Sequence, residues 1–164
     1  LAEKLVENIS IYVFDNESQL LEVAMQNIAV KSESENKIGE YPIELLDNKN
    51  KIILVIANTT DNQPDLPTIE EGKTLYSSML SSITKINEQT GLSSPFLMTG
   101  TSKDVKADQG TVEITLSRLI AKIIVQNIAI EKNLVIDKMK LTKVLDKAYL
   151  FKTETKITSY YHKR

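Results

Sequence analysis

Residues 52–57 read Ile52-Ile53-Leu54-Val55-Ile56-Ala57. A continuous apolar run of this length, rich in β-branched side chains, is the pattern of a central strand covered on both faces. The stretch from Ile9 to Phe14 (ISIYVF) has the same flavour. Ile9, Ile11 and Val13 share one face; Ser10, Tyr12 and Phe14 share the other, which is half apolar, so a second doubly covered strand is expected. The turn cluster Asp15-Asn16-Glu17-Ser18 follows, with a further strand expected around Leu20 to Met25. Lys31 to Gly39 reads as a polar surface loop, and Tyr41 to Leu46 leads into the hairpin-like turn Asp47-Asn48-Lys49-Asn50.

Downstream of the central run, Thr59 to Pro67 carries Pro64 and Pro67 and is expected to be loop. Leu75, Tyr76, Met79, Leu80, Ile83 and Ile86 then fall at helical spacing, with serines opposite, and Gly91 as a stop. This predicts one α-helix over about 73–89 whose apolar stripe is an ordinary packing face. Phe96-Leu97-Met98 forms a short apolar segment ended by Thr99-Gly100-Thr101-Ser102. Val112, Ile114 and Leu116 alternate with Glu113 and Thr115, the pattern of a half-buried strand. Leu119 to Ile130 and Leu134 to Val144 are further β-rich stretches, whereas Lys152 to Arg164 turns polar and basic. About seven short strands with one inserted helix predict a mainly β protein, a β-sandwich.

Composition supports this. The chain holds 19 Ile, 10 Val and 14 Thr against 8 Ala, side chains that pack better on a pleated surface than in helices. Its 164 residues suffice for one domain with a sizeable core. Twenty basic and 22 acidic residues give a net charge of −2, which argues against nucleic acid as a partner. With no cysteine, thiolate metal sites, disulfides and cysteine nucleophiles are excluded. The single histidine, His162, lies near the C-terminus, so a two-histidine metal site is excluded as well. The composition argues against an enzyme, and no metal or cofactor is expected.

Candidate chemistry is sparse. Asp15/Glu17 and Glu70-Glu71 come nearest to paired carboxylates; the latter is expected just before the helix, where the macrodipole favours acids. Asp61, Asn62 and Asp65 lack the alternating oxygens and turn glycine of a calcium loop. Thr99-Gly100-Thr101-Ser102 is too short for a phosphate loop. Glycosylation sequons begin at Asn8, Asn16 and Asn58.

Four segments carry a resemblance: the opening strand ISIYVFDN; Lys51 to Asn58, an apolar strand ending in Ala-Asn; a helix beginning near Lys73 and leading to Pro95-Phe96-Leu97-Met98-Thr99-Gly100; and Leu116-Ser117-Arg118-Leu119-Ile120-Ala121-Lys122-Ile123. Their order and spacing over residues 3–151 resemble the fimbrillin family, the type V pilus subunits of Bacteroidales. The resemblance implies a transthyretin-like Greek-key sandwich over residues 1–151. Residues 152–164 would be a linker or truncated connection to a C-terminal domain. It further implies a structural subunit of a cell-surface fimbria, exported as a lipoprotein precursor to the outer membrane and polymerising by donor-strand exchange.

Neighbouring pilin subunits are then the expected partners, joined head to tail, with host protein or glycan as a further partner in adhesion. Contact with a membrane would come only through the precursor's lipid anchor. A sandwich lacking one strand presents an apolar groove bordered by unpaired backbone groups, which an extended segment from a neighbour can fill. The expected groove lining is Ile9, Ile11 and Val13 from the opening strand with Ile120, Ile123 and Val125 from the late strands. Arg118 and Lys122 are expected as edge-facing charges that deter aggregation, with a salt bridge to a loop carboxylate as the second reading. A surface adhesin or lectin-like module is the alternative reading; the lack of Trp, with Tyr160 and Tyr161 only in the tail, leaves little aromatic platform for a glycan.

Overall fold

The computed structural model describes residues 5–30, 38–85, 95–119, 138, 140 and 147–151. Its main element is a five-stranded antiparallel sheet in the order β2-β1-β3-β5-β6. These strands are β1 (Asn8–Asp15), β2 (Leu21–Ala29), β3 (Lys51–Ala57), β5 (Met98–Val105) and β6 (Ser117–Arg118). A second, two-stranded antiparallel sheet pairs β4 (Ile83–Lys85) with β7 (Lys147–Tyr149). Two helical turns, α1 (Thr59–Asn62) and α2 (Tyr76–Leu80), complete the regular elements among the described residues together with a 3-10 turn at Ala107–Gln109. The described residues are thus mainly β, as the β-branched composition predicts.

Every residue of β1 and β3 is buried, so both central strands are covered on both faces. Alternation sorts their side chains into two apolar clusters. On one face, Tyr12, Phe14, Ile52, Leu54 and Ile56 pack with Tyr76 and Met79 of α2 and with Leu97, Leu150 and Phe151. The Phe14 and Tyr76 rings meet edge to face, with centroids 5.6 Å apart. On the other face, Ile9, Ile11 and Val13 lie beside Ile53, Val55 and Ala57, joined by Val6, Met98 and Val105.

The helix expected over 73–89 is overturned. Helical structure ends at Leu80, and Ile83, assigned to the apolar stripe, instead pairs with Tyr149 in β4. The reason is local. Ser81 Oγ donates back to the Ser77 carbonyl at 3.0 Å, a competition for backbone acceptors that weakens a helix end. The Ile83 carbonyl then accepts from Asp65 N at 2.9 Å in an antiparallel bridge. Tertiary pairing thus overrides a short helical period. Residues 86–89 lie outside the described residues.

Other boundaries shift as well. β2 runs to Ala29 rather than Met25, absorbing irregularities at which Asn27 adopts φ 53° and donates its N–H to Ser10 Oγ at 3.0 Å. Thr99-Gly100-Thr101-Ser102, expected to end a segment, continues β5 as far as Val105. The expected loop after Asn58 contains α1. Of the β-rich stretches at 119–130 and 134–144, only Leu119, Lys138 and Lys140 are among the described residues.

Candidate assembly face

The second face of the sheet is built from ladder partners: Ile9 opposite Ala57, Ile11 opposite Val55 and Val13 opposite Ile53. β5 extends this floor, with Gly100 opposite Val55 and Met98 opposite Ala57. Ile9, Ile11 and Val13 therefore converge as expected on one face. Ile120, Ile123 and Val125 lie outside the described residues.

Two extended segments roof this floor. In residues 41–46, Tyr41, Ile43 and Leu45 are half-buried against it, while Pro42, Glu44 and Leu46 are exposed. In residues 111–116, Val112, Ile114 and Leu116 are half-buried on the same cluster, while Thr111, Glu113 and Thr115 are exposed. Both have the period of a strand, yet neither belongs to a β-ladder. The expectation of a strand around Val112–Leu116 therefore holds for the alternation and fails for the pairing, which begins only at Ser117 and Arg118.

Gly100 is where the segment that changes layer crosses β5. A Cβ at this position would stand 2.7 Å from Ile114 Cγ2 and 2.8 Å from the Thr115 carbonyl oxygen. The missing side chain lets 114–116 cross directly over β5, while Ser117 and Arg118 drop into the sheet beside Thr99 and Met98. The glycine of the Pro95–Gly100 segment thus answers to close backbone approach. Arg118 is exposed on β6, the last strand of the sheet among the described residues; Lys122 lies outside them.

At one end of the floor sits a charge cluster that sequence reasoning missed. The Lys51 side chain is fully buried, and its Nζ donates to Asp47 Oδ1 at 2.7 Å, Glu22 Oε1 at 2.9 Å and Asp15 Oδ2 at 3.3 Å. Asp15 and Glu22 are 7% and 15% exposed, Asp47 42%. The three carboxylates lie close enough to share a cation; the Lys51 ammonium is that cation, so a metal ion there would meet a fixed positive charge. Burial alone would pull the ammonium down, but its hydrogen bonds to Asp47, Glu22 and Asp15 outweigh this and hold it above the usual lysine value. Asp15 is pulled down to about 2, first by the Ser18 amide, which donates to Oδ1 at 2.7 Å, and further by Lys51. The available signal was a lysine heading an otherwise apolar strand.

At the other end, Asn58 adopts φ 64° and is fully buried. Its Oδ1 accepts from Glu7 N at 2.9 Å, and its Nδ2 donates to the carbonyls of Phe96 at 2.7 Å and Leu5 at 3.0 Å. Asn62 Nδ2 donates to the carbonyls of Asn58 and Pro95. The Ala-Asn ending of the central strand thus clasps the segments leading into β1 and β5. Asn8 is also buried, its Oδ1 accepting from Thr59 N at 3.1 Å. Two of the three sequon asparagines are therefore framework residues.

Glu70 and Glu71 do not precede a helix directly, because α2 starts at Tyr76 and has no acid in its first turn. Glu70 pairs with Lys73 at 2.6 Å, and Glu71 Oε1 accepts from Ala24 N at 3.0 Å on the outer edge of β2. They brace a loop and a strand edge rather than a macrodipole.

A family model describing the fimbrillin-A associated anchor proteins Mfa1 and Mfa2 matches residues 1–154. The chain belongs to this anchor-protein family. No curated protein and no solved structure matches it. Membership places the chain among fimbria-associated proteins of the cell surface, a structural class. It also bears out the resemblance read from the four segments.

Proposed function

We propose that this chain is a structural, non-catalytic subunit of a fimbria that joins neighbouring pilus subunits by accepting an extended strand over its second face. One observation carries the reading. A largely apolar floor is roofed, among the described residues, by two segments with the period of strands that belong to no ladder. An extended segment laid on the floor beside residues 111–116 would gain main-chain bonds along them and bury alternate side chains on the floor, as strand addition does.

Ile9, Ile11 and Val13 form the floor of this acceptor. Ile120, Ile123 and Val125 are carried in the same proposal as further lining. The complete domain under this reading is a transthyretin-like Greek-key sandwich, residues 1–151, with 152–164 leading onward. Export as a lipoprotein precursor, outer-membrane association and a supporting part in adhesion to host protein or glycan belong to the same reading. A contact in which each subunit receives a strand and gives one is heterologous, and it propagates instead of closing.

The test places a photo-crosslinking amino acid at Ile114, and separately at exposed Ser77 over the opposite face, in the full-length protein in its own cells. Crosslinks to another pilus subunit from position 114 and not from 77 support the reading. Crosslinks confined to the chain itself, or equal from both positions, overturn it.

A further inference from the structure

Residues 38–46 have the form of a strap. Three side chains, Tyr41, Ile43 and Leu45, seat it on the apolar floor, and all three are half-buried where the floor residues beneath are buried. The strap lies outside any ladder, and Pro42 has no N–H to give to one. Its far end carries Leu46, 78% exposed. Immediately after comes Asp47, whose Oδ1 accepts from Lys51 Nζ at 2.7 Å and from Lys49 N at 2.9 Å.

Asp15 and Lys51 stand at odd positions of their strands, in phase with Val13 and Ile53, so this tie is made on the strap's side of the sheet. The charges facing it are Lys51 from β3, Asp15 from β1 and Glu22 from β2, with Lys49 and Glu17 paired just outside at 3.1 Å. Lys51 keeps two carboxylate partners without Asp47, so the tie can open while the sheet stays neutralised at that point. Half-buried extended segments outside a ladder open more readily than strands bonded on both sides.

From this geometry we infer that residues 38–46 are a displaceable cover. They shield the apolar floor in the isolated subunit, and the Asp47–Lys51 tie holds them until an incoming strand takes their place. This rests on the strand-acceptor reading above and adds the element that must move. A strap of this kind resolves a conflict in that reading: an open apolar floor would invite uncontrolled pairing before assembly, while a strand bonded into a sheet would be too costly to remove.

The experiment uses the full-length protein and follows the rate at which folded monomer enters polymer, with hydrogen exchange of 38–46 measured before and after. Asp47→Asn removes a half-exposed ion pair and leaves Asp15 and Glu22 in place; Ile43→Ala weakens the seat without touching β1 or β3. Both variants are first shown to keep the wild-type circular dichroism. Entry about two- to fivefold faster for Asp47→Asn, the range an exposed pair supports, with 38–46 less protected in polymer than in monomer, is the expected result. Unchanged or slower entry, or a strap better protected in polymer, overturns the cover. If wild-type protein forms no polymer with any pilus subunit, it is the strand-acceptor reading that falls, and the cover with it.

Discussion

Replacing Lys51 by Met takes away the ammonium that joins Asp15, Glu22 and Asp47. The volume is nearly kept, so what changes is charge. Asp47 is 42% exposed and can turn to water, and its share of the loss is small. Asp15 and Glu22 are 7% and 15% exposed, and Glu22 Oε2 already has no hydrogen-bond partner. Stranding buried carboxylates costs about 3–5 kcal/mol, far more than an intact pair is worth. In a chain of this size each kcal/mol lowers the melting temperature by about 2–4 °C, so a fall of about 6–20 °C is expected at pH 7.

The pH dependence gives a second check. In the wild type, Asp15 is pulled from 3.8 to about 2. Its contribution is therefore in place above pH ~4 and is lost as the pH falls towards 2, no more than about 2 kcal/mol in all. In the variant, protons can neutralise the stranded carboxylates of the folded state, so it gains on the wild type as the pH drops. Guanidinium unfolding of both proteins at pH 7 and pH 4 measures this. A loss below about 1 kcal/mol at pH 7, or an equal loss at both pH values, would refute the account of the cluster.

Further substitutions probe other contacts. Gly100→Ala should cost about 1–3 kcal/mol, because its Cβ would meet Ile114 Cγ2 at 2.7 Å; urea unfolding reads this, and a neutral result would deny the close crossing. Asn58→Gly keeps the positive φ but leaves Glu7 N and the carbonyls of Leu5 and Phe96 without their partner; a loss of about 2–4 kcal/mol is expected, with raised hydrogen exchange at Glu7. Leu54→Ala, at a fully buried position, should lose about 2–5 kcal/mol. Leu46→Ser, at a position 78% exposed, should stay within about 0.5 kcal/mol, and equal losses at the two leucines would contradict the burial.

The doubly covered strands were legible because six apolar residues stand in a row at 52–57, and because Ile9 to Phe14 carries apolar side chains on both faces with Ser10 the one exception. The face formed by Ile9, Ile11 and Val13 followed from alternation alone. What escaped depends on long-range pairing. Ile83 fits a helix by period, and only Asp65 and Tyr149, distant in sequence, draw it into a strand. Tyr41, Ile43 and Leu45 alternate openly, but the sequence cannot distinguish a strand from an extended strap, since the difference lies in ladder pairing, which no local pattern shows. The Lys51 cluster draws its partners from β1, β2 and a turn; local composition shows the lysine and hides its company. Gly100 was read as the end of an apolar segment because the chain that crosses it arrives more than ten residues later.

Asp15 and Lys51, described above as an ion pair, are also direct partners across the β1–β3 ladder. Between them and the Asn8–Asn58 end, where Asn58 N donates to the Asn8 carbonyl at 2.9 Å, every residue of both strands is buried. A pair of strands covered on both sides has little alternation to choose one alignment over another. Sliding β3 by two residues would keep apolar side chains on both faces, yet it would move Lys51 about 7 Å away from Asp15 and leave charges buried apart. Alignment of the central ladder is therefore set at its two polar ends. Substitutions there would show as mixed registers, visible as doubled amide resonances, before they showed as lost burial.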